Sequence, residues 1–126
     1  MELQNKKVLA FDLDKTLCTN PSHISKISDY KKSKPVRTMI KIVNKCYDEG
    51  YKIIIYTARG AILAKNNKIL KKKLKEITII QLLEWKISYH KLNMTKIYYD
   101  LLIDDKAINT SKVRNKNDLY RLIEKY

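Results

Sequence analysis

An apolar run that ends abruptly in two aspartates is the feature that most constrains how this chain folds. Val8 to Phe11 have the pattern of a strand buried on both faces of a parallel sheet, and Asp12 and Asp14 follow it directly. Because side chains alternate along a strand, the two carboxylates are expected on the same side, where they repel each other unless a cation intervenes. Carboxylate oxygens are hard ligands, so the spacing predicts a divalent metal, and we expect Mg²⁺. One aspartate would then be free to act as a nucleophile toward phosphorus.

The alternative for Asp12 and Asp14 is that they merely begin a turn or cap a helix, which is typical of an isolated Asp-x-Asp pair. Here Thr16 follows, and two more apolar runs end in polar residues: Ile53 to Tyr56 before Thr57, and Leu101 to Ile103 before Asp104. Ligands of open parallel sheets bind outside the carboxyl ends of the strands. If the first strand lies between the other two, Asp12, Thr57 and Asp104 converge on one site.

A helical pattern separates the first two strands. Pro35 suits the first turn of a helix and Gly50 suits its end. The apolar residues between them recur at helical spacing: Val36, Met39, Ile40, Val43 and Tyr47. A helix between two strands makes the connection a right-handed crossover and the strands parallel, so the sequence predicts an α/β fold.

The remaining segments carry shorter patterns of turn residues, capping residues and apolar runs. We expect, in chain order, a flap over the site at residues 18–34, a basic helix or lid at residues 61–77, a helix capped at residues 78–81, a third strand near residues 87–92, a fourth strand at residues 97–105, and a last helix capped by Asn117 or Asp118.

Chain length, hydrophobicity and cysteine content limit the number of domains and the cellular environment that we expect. At 126 residues the chain is long enough for one hydrophobic core, and we assign residues 1–126 to a single domain. No apolar stretch is long enough to span a membrane, and Met1 to Lys6 lack the apolar core of a signal peptide. Cys18 and Cys46 lack a Cys-x-x-Cys spacing, so we expect reduced thiols and a cytoplasmic protein. Cys18 is interpreted as a small apolar core residue rather than a reactive thiol.

The chain is strongly basic, with 27 lysine or arginine residues, 13 aspartate or glutamate residues and a formal net charge of +14. Such an excess attracts anions, and nucleic acid is one candidate partner. The alternative, which we favour, is a solvated lysine-rich surface, because lysine dominates and no arginine–aromatic pattern occurs. Nucleic acid is therefore not the first expectation, although the charge does not exclude it.

The motifs together resemble a known superfamily. Residues 11–17, Phe-Asp-Leu-Asp-Lys-Thr-Leu, resemble the first motif of the haloacid dehalogenase (HAD) superfamily, and residues 53–60 and 101–107 resemble its second and fourth motifs. The strings Tyr-Thr-Ala-Arg-Gly and Tyr-Asp-Leu-Leu-Ile-Asp-Asp-Lys-Ala are similar to a narrower group, the small phosphatase-like proteins of capsule and surface-polysaccharide loci. The resemblance spans about residues 7–110. It implies a three-layer α/β/α Rossmann-like fold with a central parallel sheet and no large cap domain.

The resemblance also implies roles for individual residues. Asp12 would be the nucleophile that forms an aspartyl-phosphate, and Asp14 would be the general acid and then the base that activates water. Thr57 would hydrogen-bond a phosphoryl oxygen. Lys96 would neutralise charge on the nucleophile and the phosphate; the alternatives for this role are Lys91 and Lys86.

Further roles concern the metal and the substrate. Mg²⁺ would be bound by Asp12, the main-chain carbonyl of Asp14 and Asp104, with Asp105 binding through water or orienting the other ligands. Arg59 could bind a phosphate or carboxylate of the substrate, or form an ion pair, for example with Asp100. The other candidate substrate contacts, which could equally be solvated side chains, are Lys106 and His23.

These expectations define a Mg²⁺-dependent phosphatase of a small phosphorylated alcohol or sugar, acting in capsule or surface-polysaccharide biosynthesis. A capless site implies a bulky substrate or a homo-oligomer in which a neighbour closes the site. One alternative is therefore a phosphatase acting on polynucleotide ends or another macromolecule. The other is a non-catalytic binding module with the HAD fold.

Overall fold

The computed structural model describes residues 7–126, so the polar lead-in predicted for residues 1–6 lies outside the described part of the chain. The helices and strands are, in chain order, β1 (Val8–Phe11), β2 (Cys18–Thr19), β3 (Lys34–Pro35), α1 (Arg37–Asp48), β4 (Lys52–Tyr56), α2 (Lys68–Glu84), β5 (Lys91–Asn93) and α3 (Lys116–Ile123). Short 3-10 helices cover Ile27–Lys32 and Thr110–Lys112.

A parallel sheet with the strand order β1–β4–β5 forms the centre of the fold. Phe11 of β1 lies opposite Ile55 of β4, and Tyr56 of β4 lies opposite Asn93 of β5. The carboxyl ends of β1 and β4 are therefore side by side. The predicted α/β fold with a central parallel sheet and no large cap domain is confirmed.

The hydrophobic core includes the contact between this sheet and α1. Ile53 and Ile55 of β4 and Val43 and Cys46 of α1 have no exposed surface. Gly50 follows α1 with a φ of 96°, a left-handed conformation that glycine adopts without strain, so the predicted end of this helix is confirmed. Its beginning is Arg37 rather than Pro35, because Pro35 belongs to β3.

Residues 18–34, which we call the flap, form a loop closed at its base by two short strands. β2 and β3 pair in antiparallel fashion, with Cys18 opposite Pro35. Asp29 stabilises the turn before the 3-10 helix, since its carboxylate accepts the backbone N–H groups of Ser25 at 2.9 Å and Lys26 at 3.2 Å. The bond from Ser25 is the main reason that the pKa of Asp29 is lowered. The flap is thus held by hydrogen bonds of its own.

One continuous helix replaces the two segments predicted for residues 61–77 and 78 onward. α2 begins after Asn67, whose side chain accepts the N–H of Leu70 at 3.0 Å, and residues 59–66 form turns before it. The prediction of a capping box at Thr78 is wrong, because the Thr78 hydroxyl donates to the Leu74 carbonyl at 2.8 Å in the middle of the helix. A threonine that bonds back to the preceding turn can remain within a helix.

The predicted fourth strand is wrong for the described structure. Residues 97–107 form neither strand nor helix, and the exposed fractions of Leu101 and Ile103 are 77% and 90%. Local bonds compete with a strand here, because the Asp104 carboxylate accepts the N–H of Lys106 at 3.2 Å. Consequently β1 lies at the edge of the described sheet and not between two strands.

The other carboxyl-terminal predictions differ in their boundaries. β5 covers only the end of the predicted third strand. His90, just before it, is bonded to Ile53 through both its N–H and its Nδ1. The cap of α3 is Asn115 rather than Asn117 or Asp118; its side chain accepts the N–H of Asp118 at 2.9 Å. Within residues 7–126, none of the helices combines the length and apolar character needed to cross a membrane.

Candidate active site

Two polar residues meet where β1 and β4 end. Asp12 follows β1 and accepts the N–H of Leu13 at 2.9 Å. Thr57 follows β4 and is buried, and its hydroxyl oxygen accepts the N–H of Arg59 at 3.1 Å. The parallel register places both residues at the same edge of the sheet, as the sequence predicted for this pair.

Lys96 brings a positive charge to Asp12. Its Nζ lies 3.6 Å from Asp12 Oδ1, and the side chain of Lys96 is only 13% exposed. The ammonium group also lies 5.6 Å from the ring centroid of Tyr56 and 5.2 Å from that of Tyr99. Sequence reasoning missed both tyrosines, although a tyrosine three residues after the candidate lysine was a usable signal.

The alternatives for this lysine are not in the same position. Lys86 and Lys91 are exposed, and among the described residues the ion pair of Asp12 is with Lys96. Burial raises the pKa of Asp12, and the charge of Lys96 opposes that rise. For Lys96, burial disfavours the charged form, but the hydrogen bond to Tyr99 and the charge of Asp12 outweigh it and raise the pKa. The lysine is therefore held as a cation beside the carboxyl group.

Asp14 is paired with a buried arginine. Arg59 Nε donates to Asp14 Oδ1 at 3.1 Å and Oδ2 at 3.2 Å, and Arg59 Nη2 lies 3.0 Å from Oδ1. The side chain of Arg59 has no exposed surface, whereas that of Asp14 is 20% exposed. Of the two roles considered for Arg59, the ion pair is present, but its partner is Asp14 rather than Asp100. Asp100 instead accepts the hydroxyl of Tyr98 at 2.9 Å.

Other groups around Arg59 were not anticipated from the sequence. Arg59 Nη1 donates to Thr78 Oγ1 at 3.0 Å and to Gln81 Oε1 at 2.6 Å. The guanidinium carbon lies 4.6 Å from the ring centroid of Tyr30. A threonine and a glutamine three residues apart within an apolar helix pattern were the available signal. They are buried polar groups that require a partner.

Cys18 lies on the same network, with its Sγ 3.7 Å from Arg59 Nη2 and 3.5 Å from Asp14 Oδ1. Burial, together with the charge of Asp14, raises the pKa of the thiol to about 12. A thiol that stays protonated is a poor nucleophile. This agrees with the interpretation of Cys18 as a core residue.

The predicted metal ligands are not brought together. Asp104 is exposed, and the bond from the N–H of Lys106 is the main cause that lowers its pKa. Within residues 7–126, no three aspartate, glutamate, histidine or cysteine side chains are grouped so that they could hold a metal. Asp12 is paired with Lys96 and Asp14 with Arg59, so among the described residues these side chains are not gathered as a set of Mg²⁺ ligands.

The two other candidate substrate contacts, His23 and Lys106, are exposed. His23 lies in the flap, and Lys106 lies in the segment that follows Asp104. The described residues include no hydrogen bond or ion pair that joins either of them to Asp12 or Asp14. Their predicted role therefore has no support from the geometry.

A cleft of about 560 Å³ adjoins the Asp12–Lys96 pair. α2 and the turns before it form one wall, and residues 94–97 form the other. We call it the basic groove, because lysines line it and no carboxylate does; these lysines are Lys65, Lys71, Lys72, Lys75 and Lys96. Met94 and Ile97 add apolar surface. The groove can accept an anionic group next to Asp12.

Comparisons with known proteins place this chain in a family. A family model described as polynucleotide kinase 3 phosphatase matches residues 7–119. A search of curated proteins finds no match. The crystal structure of an MCSG target from Vibrio cholerae aligns with a TM-score of 0.74 and 25% identity over 95% of this chain and 98% of that one.

A second solved structure supports the fold alone. The Pnkp1/Rnl/Hen1 complex aligns with a TM-score of 0.57 and 19% identity over 91% of this chain, which spans 33% of the matched chain. The resemblance to HAD phosphatases drawn from the motifs agrees with the family match. Because that match covers nearly the whole chain, the protein is a phosphoric monoester hydrolase that belongs to the polynucleotide kinase 3 phosphatase family.

Proposed function

We propose that Asp12 is the nucleophile of this phosphatase. The observation that supports the proposal is the ion pair of Asp12 and Lys96 at the carboxyl end of β1, 3.6 Å apart, whose lysine lines the basic groove. An anionic carboxylate attacks an anionic phosphate only when positive charge reduces their repulsion. Lys96 supplies that charge and is itself kept protonated by its surroundings.

The reaction has two steps. In the first, an Asp12 oxygen forms a bond to phosphorus, the bond from phosphorus to the ester oxygen breaks, and the leaving alcohol takes a proton from Asp14. In the second, Asp14 takes a proton from water, whose oxygen attacks phosphorus and releases phosphate and free Asp12. Thr57 is proposed to bind a phosphoryl oxygen, since its hydroxyl oxygen accepts from Arg59 and, within residues 7–126, that hydroxyl donates to no other group.

Two substrate classes are candidates. The motif resemblance favours a small phosphorylated alcohol or sugar of capsule or surface-polysaccharide biosynthesis. A polynucleotide end is the second candidate, and the lining of the basic groove favours it because several lysines and no carboxylate line the groove. The description of the matching family names the same class. A non-catalytic binding module is disfavoured, since Asp12, Lys96 and Thr57 are gathered at one edge.

The test is release of phosphate from a panel of sugar phosphates and oligonucleotides that carry a terminal phosphate. Wild-type protein should act on at least one member, and Asp12→Asn should reduce the rate by about 10³-fold or more. Asp100→Asn is the matched control, because it neutralises an exposed carboxylate whose hydrogen-bond partner among the described residues is Tyr98. Equal rates for wild type and Asp12→Asn would rule out the proposed nucleophile.

Mg²⁺ dependence is a separate prediction. It comes from the sequence motifs alone, because the described residues do not bring the predicted metal ligands together. The same assay with added Mg²⁺ and with a chelator should show activity only with the metal. Activity that survives complete chelation would remove Mg²⁺ from the proposal while leaving Asp12 in place.

A further inference from the structure

A single buried side chain joins three separate parts of the chain behind Asp14. Arginine has five N–H donors and no acceptor. In Arg59, Nε and Nη2 are directed to Asp14, Nη2 also approaches Cys18, and Nη1 is shared between Thr78 and Gln81. Arg59 borders the basic groove, but its side chain has no exposed surface and its nitrogens are engaged inside the protein, so its guanidinium group is not available to a substrate there.

Stability alone is a weak reason for such a pair. Removing two charges from water costs free energy, and well-packed apolar residues in place of a buried ion pair are often no less stable. The forked, planar guanidinium instead fixes the plane and direction of the carboxylate that it binds. Here that carboxylate is Asp14, which retains 20% exposure and lies two residues from the proposed nucleophile.

Gln81 extends this arrangement to the flap. Its Oε1 accepts from Arg59 Nη1 at 2.6 Å, and its Nε2 donates to the main-chain carbonyl of Tyr30 at 2.6 Å. The ring of Tyr30 lies over the same guanidinium at 4.6 Å. Two contacts therefore connect the 3-10 helix of the flap to the side chain that orients Asp14.

We infer that Arg59 is a positioning residue for Asp14, and that Gln81 and Tyr30 couple its position to the flap. The inference rests on the proposed function, because orientation of Asp14 matters for turnover only if Asp14 transfers protons. The position of the flap and the orientation of the Asp14 carboxylate are then coupled, so that a change in one changes the other. A substrate that moves the flap also moves the proton-transfer group.

The first test compares the same substitution, arginine to lysine, at Arg59 and at Arg37. Arg59 bonds to α2, and Arg37 bonds to the residue that ends α2. Arg59→Lys should lower kcat by at least about tenfold, because one ammonium group cannot replace the fork, while KM stays within about twofold. Arg37→Lys is the control, since Arg37 donates to the carbonyl of Trp85 at the end of α2, and among the described residues no hydrogen bond or ion pair joins it to Asp14. It should leave both constants unchanged. Equal kcat for folded Arg59→Lys and wild type would overturn the inference.

A second pair of variants remains informative even if Arg59→Lys fails to fold. Gln81→Met keeps a similar volume and removes both bonds, so kcat should fall and the amides of residues 25–33 should exchange faster with deuterium. Thr78→Val removes one acceptor of Arg59, and among the described residues no hydrogen bond joins Thr78 to the flap, so flap exchange should stay at the wild-type rate. Equal flap exchange in the two variants would overturn the coupling.

The two proposals fail in different ways. If wild-type protein releases phosphate from no ester, the proposed function fails, whereas flap exchange still measures the coupling. If wild type is active and Gln81→Met alters neither kcat nor flap exchange, the inference fails and the proposed function stands.

Discussion

At the scale of single residues, the site is built from two carboxyl groups that each have a different cation. Asp12 faces Lys96 at the mouth of the basic groove, and Asp14 faces the interior through Arg59. Burial raises the pKa of Asp12 despite the neighbouring ammonium group. Folding therefore disfavours the ionised form of the very group that is proposed to attack phosphorus. Such a cost is typical of functional sites.

This raised pKa predicts how stability depends on pH. Below the pKa of Asp12 in the unfolded chain both states hold the proton, and as pH rises through the higher folded-state pKa the folded state is progressively destabilised. Asp12→Asn cannot ionise, so the free energy of unfolding of the variant relative to wild type should increase with pH and then level off above the folded-state pKa. Urea unfolding of both proteins between about pH 3 and pH 7 measures this difference.

The control for this prediction is Asp100→Asn, an exposed carboxylate outside the site. A difference between wild type and Asp12→Asn that does not vary with pH would contradict the assigned direction of the Asp12 pKa.

At the scale of helices and strands, two similar apolar runs adopt different structures: one is a buried strand and the other is an exposed irregular segment. Residues 53–55 lie in β4, pair with a neighbour on each side and bury Ile53 and Ile55 completely. Residues 101–103 have an equally apolar composition but no ladder in the described structure, and Ile103 is 90% exposed. The difference arises from available partners, since a strand is stable only when its backbone groups are paired.

This contrast predicts very different costs of substitution. Ile103→Ser should change the free energy of unfolding by less than about 0.5 kcal/mol, as for other exposed positions. Ile53→Ala should cost about 3 kcal/mol, because it leaves a cavity at a fully buried site. Chemical denaturation of the two variants measures both values. If Ile103→Ser were as destabilising as Ile53→Ala, residues 101–103 would be packed in the folded protein.

At the scale of the whole molecule, part of the positive charge that gives the net charge of +14 is concentrated along one cleft. The basic groove gathers lysines of α2 beside Lys96 with no carboxylate in its lining. The sequence favoured a solvated lysine-rich surface, and many lysines are indeed exposed. The lysines of the groove differ from the rest because they converge on a cleft next to the proposed nucleophile. They are the group with which a polyanionic substrate would make contact.

A charge-reversal variant distinguishes the two substrate classes. Replacing Lys71, Lys72 and Lys75 with glutamate should weaken oligonucleotide binding and reduce the slope of log affinity against log salt by about 2, at about 0.7 per lost phosphate contact. The matched control carries the same charge change at exposed lysines outside the groove, Lys41, Lys45 and Lys125. Binding titrations at several salt concentrations measure both slopes. A flat salt response of wild type would exclude the polynucleotide candidate.

The sequence by itself determined those parts of the fold that depend on neighbours along the chain. Apolar runs placed β1 and β4, helical spacing and Gly50 placed α1, and the polar residues that end the strands placed Asp12 and Thr57 at one edge. Only the tertiary structure decided that Arg59 pairs with Asp14, that Tyr56 and Tyr99 surround Lys96, and that residues 97–107 remain outside the sheet. The physical reason is the separation along the sequence between the residues that interact. A strand or helix signal arises from residues close in sequence, whereas an ion pair between residues 14 and 59 depends on which distant groups meet in the folded chain.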